Sequence, residues 1–338
     1  KIRIIKADDF KEKRLFMINR VHIICHPNSG QGQGKYILSK VLAYLDHYQI
    51  FYQVHQTTAV NQAGLMAKQI ACQVDLSDNN HLLIIGGDGT LHDVVQALWE
   101  IERIIPVNYI PTGTGNDFAR AWLKDQTYQD VLENMLFHPQ IVNVPIFTYE
   151  NHLDHHTGII LNSMGFGFDA VTNRKTGEFM ATLNPFLKRL VHKLKLAYLC
   201  GLVLSLSSVP KFPLPLIIDG KSIAHKDVSI ATVVNNPMLG GGIQIDNLSR
   251  ADRAELVTIL YHDIDFSAIK ELLAKVFIHK NQDRSKHVTR YVADYLRLII
   301  KEPVQGQVDG ESFIFPEIDM TFNLATYPFI LPTPRSAY

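Results

Sequence analysis

Four short apolar runs alternate with helical stretches over the first 140 residues, and this constrains the fold more than any other feature. Val21–Cys25, Phe51–His55, His81–Ile85 and Val107–Ile110 have strand length and strand composition. Between them, Tyr36–His47 places Ile37, Val41 and Leu45 about one helical turn apart, and Ala63–Val74 and Leu91–Trp99 have the same pattern. Strands separated by helices of this length pair in parallel, because each helix supplies the crossover to the next strand. The alternation predicts an α/β, doubly wound parallel sheet over residues 1–140.

The pattern changes near residue 140. Strand-like runs then follow one another at Ile159–Ser163, Leu214–Ile218, Val228–Val234, Leu256–Tyr261, Leu296–Ile300 and Ser312–Phe315. Gly, Pro, Asn and Asp separate them, so residues 141–338 are expected to form an antiparallel, β-rich second domain. The last segment is free to return to the first domain. Residues 181–204 are the helical exception.

Charge and cysteine content narrow the function. Lys plus Arg equals Asp plus Glu, at 33 each. A dedicated nucleic-acid binder draws its affinity from phosphate neutralisation and would carry a basic excess. Cys25, Cys72 and Cys200 are odd in number and far apart, which excludes a disulfide framework and a structural zinc site and fits a cytoplasmic setting. Residues 1–20 lack the core of a signal peptide. No apolar run reaches the roughly 18 residues that span a bilayer. The expectation is a soluble protein, or one that lies on a membrane without a transmembrane segment.

The chemistry is carried by glycine-rich turns. In Ile84-Ile85-Gly86-Gly87-Asp88-Gly89-Thr90 a strand runs into a turn, and a helix is expected from Thr90, with Thr90 as its N-cap. Such a turn lets a phosphate approach the backbone with no Cβ in the way, and the amides of the helix start face the anion. Asp88 suits a Mg²⁺ that bridges to phosphates. The alternative is an ordinary strand–helix turn. A second turn of the same build, Pro111-Thr112-Gly113-Thr114-Gly115-Asn116-Asp117-Phe118-Ala119-Arg120, follows the next strand. A third, His26-Pro27-Asn28-Ser29-Gly30-Gln31-Gly32-Gln33-Gly34-Lys35, follows the first strand and lacks the Walker pattern. In an open α/β sheet ligands sit at the carboxyl ends of the strands, so these turns are expected to converge on one phosphate site.

With these motifs in view, the chain resembles the diacylglycerol kinase catalytic superfamily. Asn28-Ser29-Gly30, Gly86–Thr90 and Pro111–Arg120 are similar to that superfamily's nucleotide-site blocks. Asn235–Gly242 is similar to its Asn…Gly-Gly-Gly segment, and Val308-Asp309-Gly310-Glu311 to its Asp-Gly-Glu. The resemblance implies an α/β nucleotide domain followed by a β-sandwich, with the active site in a cleft between them. It implies ATP held by Asn28, Ser29, Gly30, Thr57, Gly86, Gly87, Gly89, Thr90, Thr112, Gly113, Thr114, Gly115 and Asn116. Mg²⁺ is implied at Asp88 and Asp117, through water or phosphate, and Glu311 as general base.

The implied activity is transfer of the γ-phosphate to a lipid hydroxyl, with diacylglycerol the first choice of acceptor. Other readings are a kinase for a sphingoid or isoprenoid alcohol, a kinase for a soluble substrate such as NAD, and a nucleotide- or lipid-binding regulator without catalysis. A homodimer is a tendency of the family. The chain departs from the family pattern in three places. Asn143 replaces an aspartate, Ala251–Glu255 replaces a metal-binding Asp-Asp-Gly, and Gln31 stands where some members have lysine.

Residues 184–204 are expected to form a basic amphipathic helix. Phe186, Leu187, Leu190, Val191, Leu194 and Tyr198 share one side. Lys188, Arg189, His192, Lys193 and Lys195 fill the other. This suits peripheral contact with an anionic membrane surface, where the lipid substrate is found. The alternative is a helix whose apolar stripe packs on the second domain. Asp154-His155-His156 is expected to be a solvated loop, and Asn281–Arg290 an exposed polar segment.

Overall fold

The computed structural model describes residues 20–59, 61–74, 80–124, 126–167, 180–184, 211–239, 243–275 and 281–332. The expected basic helix, with Lys188, Arg189, Lys193 and Lys195, lies outside the described residues, as do Cys200 and residues 240–242. The chain divides into two compact units. One runs to Val144 and is taken up again from Tyr327, and the other runs from Pro145 to Thr326. No helix among the described residues is long and apolar enough to cross a membrane.

The first unit is built on parallel strands β1 (Arg20–Cys25), β2 (Tyr52–Gln56), β3 (Asn80–Gly86) and β4 (Val107–Pro111). Their order is β2-β1-β3-β4. Val21, Ile23, Ile24 and Cys25 are fully buried, as expected of a central strand covered on both faces. That burial pushes the Cys25 thiol up to about 12, so it behaves as a small apolar side chain.

The helices are α1 (Ser29–His47), α2 (Gln62–Gln73), α3 (Asp88–Glu100), α4 (Asp117–Trp122) and α5 (Tyr128–Phe137). Helix α1 buries Leu38, Val41 and Leu45, and α3 buries Leu91, Val94, Val95 and Leu98. These are the apolar stripes that amphipathic helices turn to a core. Helix α5 was not expected. Its start is marked by a reciprocal cap, in which Thr127 Oγ1 accepts from Asp130 N at 3.3 Å and Asp130 Oδ2 accepts from Thr127 N at 2.7 Å.

This strand order reverses direction between β1 and β3. The chain leaves β1 toward β2 on one side and leaves β3 toward β4 on the other, so the turns after β1 and β3 part. In sheets of this order, the crevice at that point is where ligands bind.

The second unit is antiparallel and rich in strands. It begins within β5 (Ile141–Asn151) and continues through β6 (His156–Ile160), β7 (Ser163–Gly167), β8 (Phe212–Ile218), β9 (Lys221–Val234), β10 (Met238–Leu239), β11 (Ile243–Gln244), β12 (Leu256–His262), β13 (Val288–Ala293), β14 (Leu296–Ile300), β15 (Val304–Val308) and β16 (Glu311–Phe315). Strand β8 shows the governing pattern: Phe212, Leu214, Leu216 and Ile218 are buried and the residues between them are not. Its core includes Phe147, Phe166, Leu256, Leu298 and Phe322. One helix, α6 (Phe266–Ala274), is capped by Asp265, which accepts from Ala268 N at 2.7 Å.

The final strand, β17 (Ile318–Ile330), pairs first with β14 and ends in the first unit, where Phe329 aligns in parallel with Val107 of β4. Tyr327 Oη donates to Ile105 O at 3.0 Å, and the Phe329 ring packs 4.8 Å from Phe118. The end of the chain thereby supplies a fifth parallel strand.

Four expectations are corrected. Residues 159–163 are not one strand, because the chain turns at Leu161-Asn162 between β6 and β7. The helix expected from Thr90 starts two residues earlier, at Asp88, and Thr90 makes no capping bond. Residues 281–290 are not simply exposed: Gln282 and Ser285 are buried, and the segment leads into β13. The change from one unit to the other falls at Val144/Pro145 rather than at residue 140.

Candidate functional site

The turn after β1 takes an unusual path. Gly30, Gln31 and Gly32 have φ of 55°, 61° and 95°, so regular helix begins only at Gln33. A Cβ on Gly30 would lie 2.1 Å from the Thr112 carbonyl oxygen, so no side chain fits there. Ser29 Oγ donates to His26 O at 2.8 Å and lies 2.6 Å from Thr112 Oγ1. Thr57, buried just beyond β2, donates its amide to Cys25 O at 2.9 Å, and its hydroxyl is 2.8 Å from His26 Nδ1. Asn28 is exposed at the mouth of this turn.

The turns after β3 and β4 meet backbone to backbone. A Cβ on Gly113 would lie 2.6 Å from Gly87 Cα, and one on Gly87 would lie 3.2 Å from Gly113 Cα. Thr112 N donates to Gly86 O at 2.7 Å. Thr90 folds back on Gly86, whose Cβ would meet it at 2.5 Å, and Gly89 lies between them in the first turn of α3. Asn116, at a φ of 52°, donates from Nδ2 to Gly113 O at 2.9 Å. Its Oδ1 is buried with no hydrogen-bond partner among the described residues. Arg120 Nε reaches back to Gly115 O at 2.9 Å, and Thr114 stays exposed at the tip.

Asp88 has a second task that its sequence context did not reveal. Its Oδ2 accepts from Asp117 N and its Oδ1 from Phe118 N, each at 3.1 Å. The carboxylate thus holds the first amides of α4, where negative charge is favourable. Asp88 and Asp117 are the first residues of α3 and α4, so two acids stand at neighbouring helix starts. Tyr109 lies beneath them and donates to Gly86 O at 3.3 Å. Burial, then the charges of Asp88 and Asp117, keep its phenol well above the usual range.

These residues fit a nucleoside triphosphate. Gly30, Gly87 and Gly113, predicted from sequence to converge, are in one place, and backbone fills the space that their side chains would need. They also fit a Mg²⁺ of the kind held by one or two carboxylates together with phosphate oxygens. No cluster of three His, Cys, Asp or Glu side chains among the described residues could cage a metal alone.

In the second unit, the sequence-predicted base stands at the end of a tight hairpin. Asp309 and Gly310 have φ of 50° and 94°, and they join Val308 to Glu311, the last pair of the β15–β16 ladder. A two-residue turn with both φ positive matches the twist of its strands, and Asp-Gly is suited to it. The Asp309 carboxylate accepts from the amides of Leu161 (2.9 Å), Asn162 (2.7 Å) and Ser163 (3.0 Å). Gln307 Oε1 accepts from Gly310 N at 2.7 Å, and its Nε2 donates to Ser163 Oγ at 3.3 Å.

Asn235 joins the same turn, donating to Pro145 O at 2.9 Å and Leu161 O at 2.7 Å, and Asn236 donates to Asn162 Oδ1 at 3.0 Å. The Asn235 and Asp309 segments, singled out separately in the sequence, therefore fasten one buried turn. Asn162, Ser163 and Gln307 were missed. The polar Asn-Ser pair inside an apolar run was the available signal. Glu311 itself is half-buried, and nothing among the described residues hydrogen-bonds its carboxylate.

The departures from the family pattern are also placed. Asn143 is exposed on β5. Asp252 is engaged by Arg250 through two bonds of 2.9 and 2.7 Å, which hold its carboxyl below the usual range. Gln31 takes a left-handed conformation between two glycines. Asp154-His155-His156 is an exposed turn leading into β6.

Residues 20–145 match the family model of the diacylglycerol kinase catalytic domain. The chain is 25% identical over 300 residues to "Putative lipid kinase YtlR" of Bacillus subtilis, covering 85% of this chain and 92% of that one. It is 24% identical over 238 residues to "Putative lipid kinase SERP0390" of Staphylococcus epidermidis, covering 70% and 71%. A crystal structure described as "a putative diacylglycerol kinase from Bacillus anthracis str. Sterne" superposes with a TM-score of 0.70 at 20% identity, over 94% of this chain and 99% of that one. This last likeness shows a shared fold. The first unit, with its glycine turns gathered at the carboxyl ends of β1, β3 and β4, is thus similar over residues 20–145 to the diacylglycerol kinase catalytic domain.

Proposed function

We propose that this chain is an ATP-dependent lipid kinase that transfers the γ-phosphate to a lipid hydroxyl, with diacylglycerol as its acceptor. The observation that carries this reading is the meeting of three turns in the first unit, Gly30 against Thr112 and Gly87 against Gly113. Phosphoryl transfer asks for positioning and charge neutralisation more than for covalent help. Backbone amides at the starts of α3 and α4, together with the Thr112 and Thr57 hydroxyls, position the phosphates. Asp88 and Asp117 would hold Mg²⁺, which would supply charge neutralisation to the phosphates. Asp88 also fixes the α4 start, so a single carboxylate ties the geometry of one turn to the electrostatics of the other.

Glu311 takes the proton of the lipid hydroxyl. Its hairpin is anchored by Asp309 and Gln307, which limits how far the carboxylate can wander. Diacylglycerol is found in bilayers, so the chain works peripherally at a membrane surface.

A panel of mixed lipid vesicles with radiolabelled ATP tests the proposal, with identification of the labelled product. Labelled phosphatidate is expected. Labelled dinucleotide in its place, or ATP binding with no product, refutes it. In the same assay Glu311→Gln keeps ATP binding and loses turnover by about 10²–10⁴-fold, the usual contribution of a positioned base. Unchanged turnover would remove Glu311 from the role.

A further inference from the structure

Strand β16 closes one end of the strand order in the second unit. It pairs with β15, and its other edge meets no strand among the described residues. Open edges are usually protected by lysine, proline or a bulge. The β16 sequence, Glu-Ser-Phe-Ile-Phe, has none of these. Phe313 is 43% exposed and Ile314 71%. An unprotected apolar edge on a folded protein calls for something to cover it.

The register shows what is on offer. Glu311, Phe313 and Phe315 lie opposite Val308, Gly306 and Val304, so all three share one face. Gly306 lies in turn opposite Phe166 of β7. The Phe315 ring lies over Gly306, where a Cβ would be 2.7 Å from it. Phe315 is 6.0 Å from Phe166 and 6.0 Å from Phe313, ring centre to ring centre. An aromatic row therefore runs from the core out to the open edge and ends beside Glu311. From Glu311 to Phe315 it is about 13 Å long, at the rise of an extended strand.

We propose that this row seats the hydrocarbon chain of a neutral lipid alcohol whose hydroxyl lies at Glu311. The proposal rests on the lipid kinase reading and adds the surface that selects the acceptor. Charge decides the class of lipid. Residues 311–317 carry Glu311 and Glu317 and no cation, so the strand accepts an uncharged alcohol and repels its phosphorylated product. The same acids argue against a second copy of the chain. Antiparallel self-pairing about Phe313 would bring each Glu311 onto the partner's Phe315 and desolvate two carboxylates with no cation to meet them.

The test compares a long-chain and a short-chain acceptor, dioleoylglycerol in vesicles and soluble dihexanoylglycerol, in the full chain and in Phe313→Ser and Ile314→Ser. Both side chains are exposed, on opposite faces of the strand, and unfolding midpoints in urea check that both variants fold. Phe313→Ser is expected to raise the KM for dioleoylglycerol by about tenfold or more, the worth of one lost apolar contact. Its effect on the KM for dihexanoylglycerol should be smaller, because six-carbon chains reach Phe313 and stop short of Phe315, and all constants of Ile314→Ser should stay within about twofold, as for an ordinary surface change.

Equal effects of the two substitutions, or conversion of a dimer to a monomer by either in sedimentation, overturn the proposal in favour of a general membrane edge or a self-association surface. An unaffected Phe313→Ser in an active enzyme overturns the proposal and leaves the kinase reading standing. An unsubstituted chain that phosphorylates neither lipid overturns both.

Discussion

Two glycines of the first unit are required for different physical reasons. A side chain at Gly113 would strike the Gly87 backbone at 2.6 Å, and backbone cannot step aside as a flexible side chain can. At Gly32 nothing lies within 4 Å, but its φ of 95° disfavours any L side chain. The Gly113→Ala change should therefore lower stability by about 1–3 kcal/mol through overpacking and also spread the β3 and β4 turns. Gly32→Ala should cost about 1–2 kcal/mol through conformation alone. Urea unfolding measures the first effect and ATP titration the second. ATP affinity should fall by about tenfold or more for Gly113→Ala and by less for Gly32→Ala. Equal affinities in the two variants would show that the Gly87–Gly113 contact does not shape the nucleotide site. The need for glycine was legible in the sequence. That Gly113 lies against the backbone of the Gly87 turn was not, because the two turns are distant in the chain.

At the scale of elements, the β15–β16 hairpin shows how a local signal acquires a distant purpose. Asp-Gly predicts a tight turn, and the turn is there. The Asp309 carboxylate, however, points away from its own hairpin to three amides at Leu161–Ser163. Asp309→Ala would leave those amides buried and unpaired, at about 1–3 kcal/mol for each group. A loss above about 3 kcal/mol in urea unfolding is expected, most of it retained in Asp309→Asn, which keeps one acceptor but loses the charge. A loss below about 1 kcal/mol in Asp309→Ala would mean that solvent satisfies the turn. The sequence could not reveal this connection, since 146 to 148 residues separate the partners. The same limit explains why residues 159–163 read as one strand: their apolar run is real, but Asn162 is claimed by Asn235, Asn236 and Asp309.

For the whole molecule, pH is a probe of the first unit. His22 of β1 is 2% exposed, and both of its ring nitrogens lack a hydrogen-bond partner among the described residues. Its ring stacks 6.0 Å from that of His55 on β2. Burial, then His55 and Arg20, hold the His22 imidazole below its ordinary range, and burial does the same for His55. The unfolded chain then binds more protons than the folded one, so this contribution is intact above about pH 6.5 and is lost as pH falls below it. Each such proton gives a slope of at most about 1.4 kcal/mol per pH unit. Urea midpoints at pH 7.5 and 5.5 should show a clear drop, and His22→Leu should reduce it. An undiminished drop would place the acid sensitivity elsewhere.

Periodicity, turn residues and glycine-rich segments act over a few residues, and they determined the parallel first unit, the antiparallel second unit and the glycine-rich turns after β1, β3 and β4. Tertiary structure decided the rest: the fifth strand that β17 brings to β4, the capping of α4 by Asp88, the clasp of Asp309 on residues 161–163, and the aromatic row beside Glu311. Each of these depends on pairing between residues far apart in the chain. Such pairing follows from which surfaces the packed units bury, which is a property of the whole fold and is written in no single stretch of sequence.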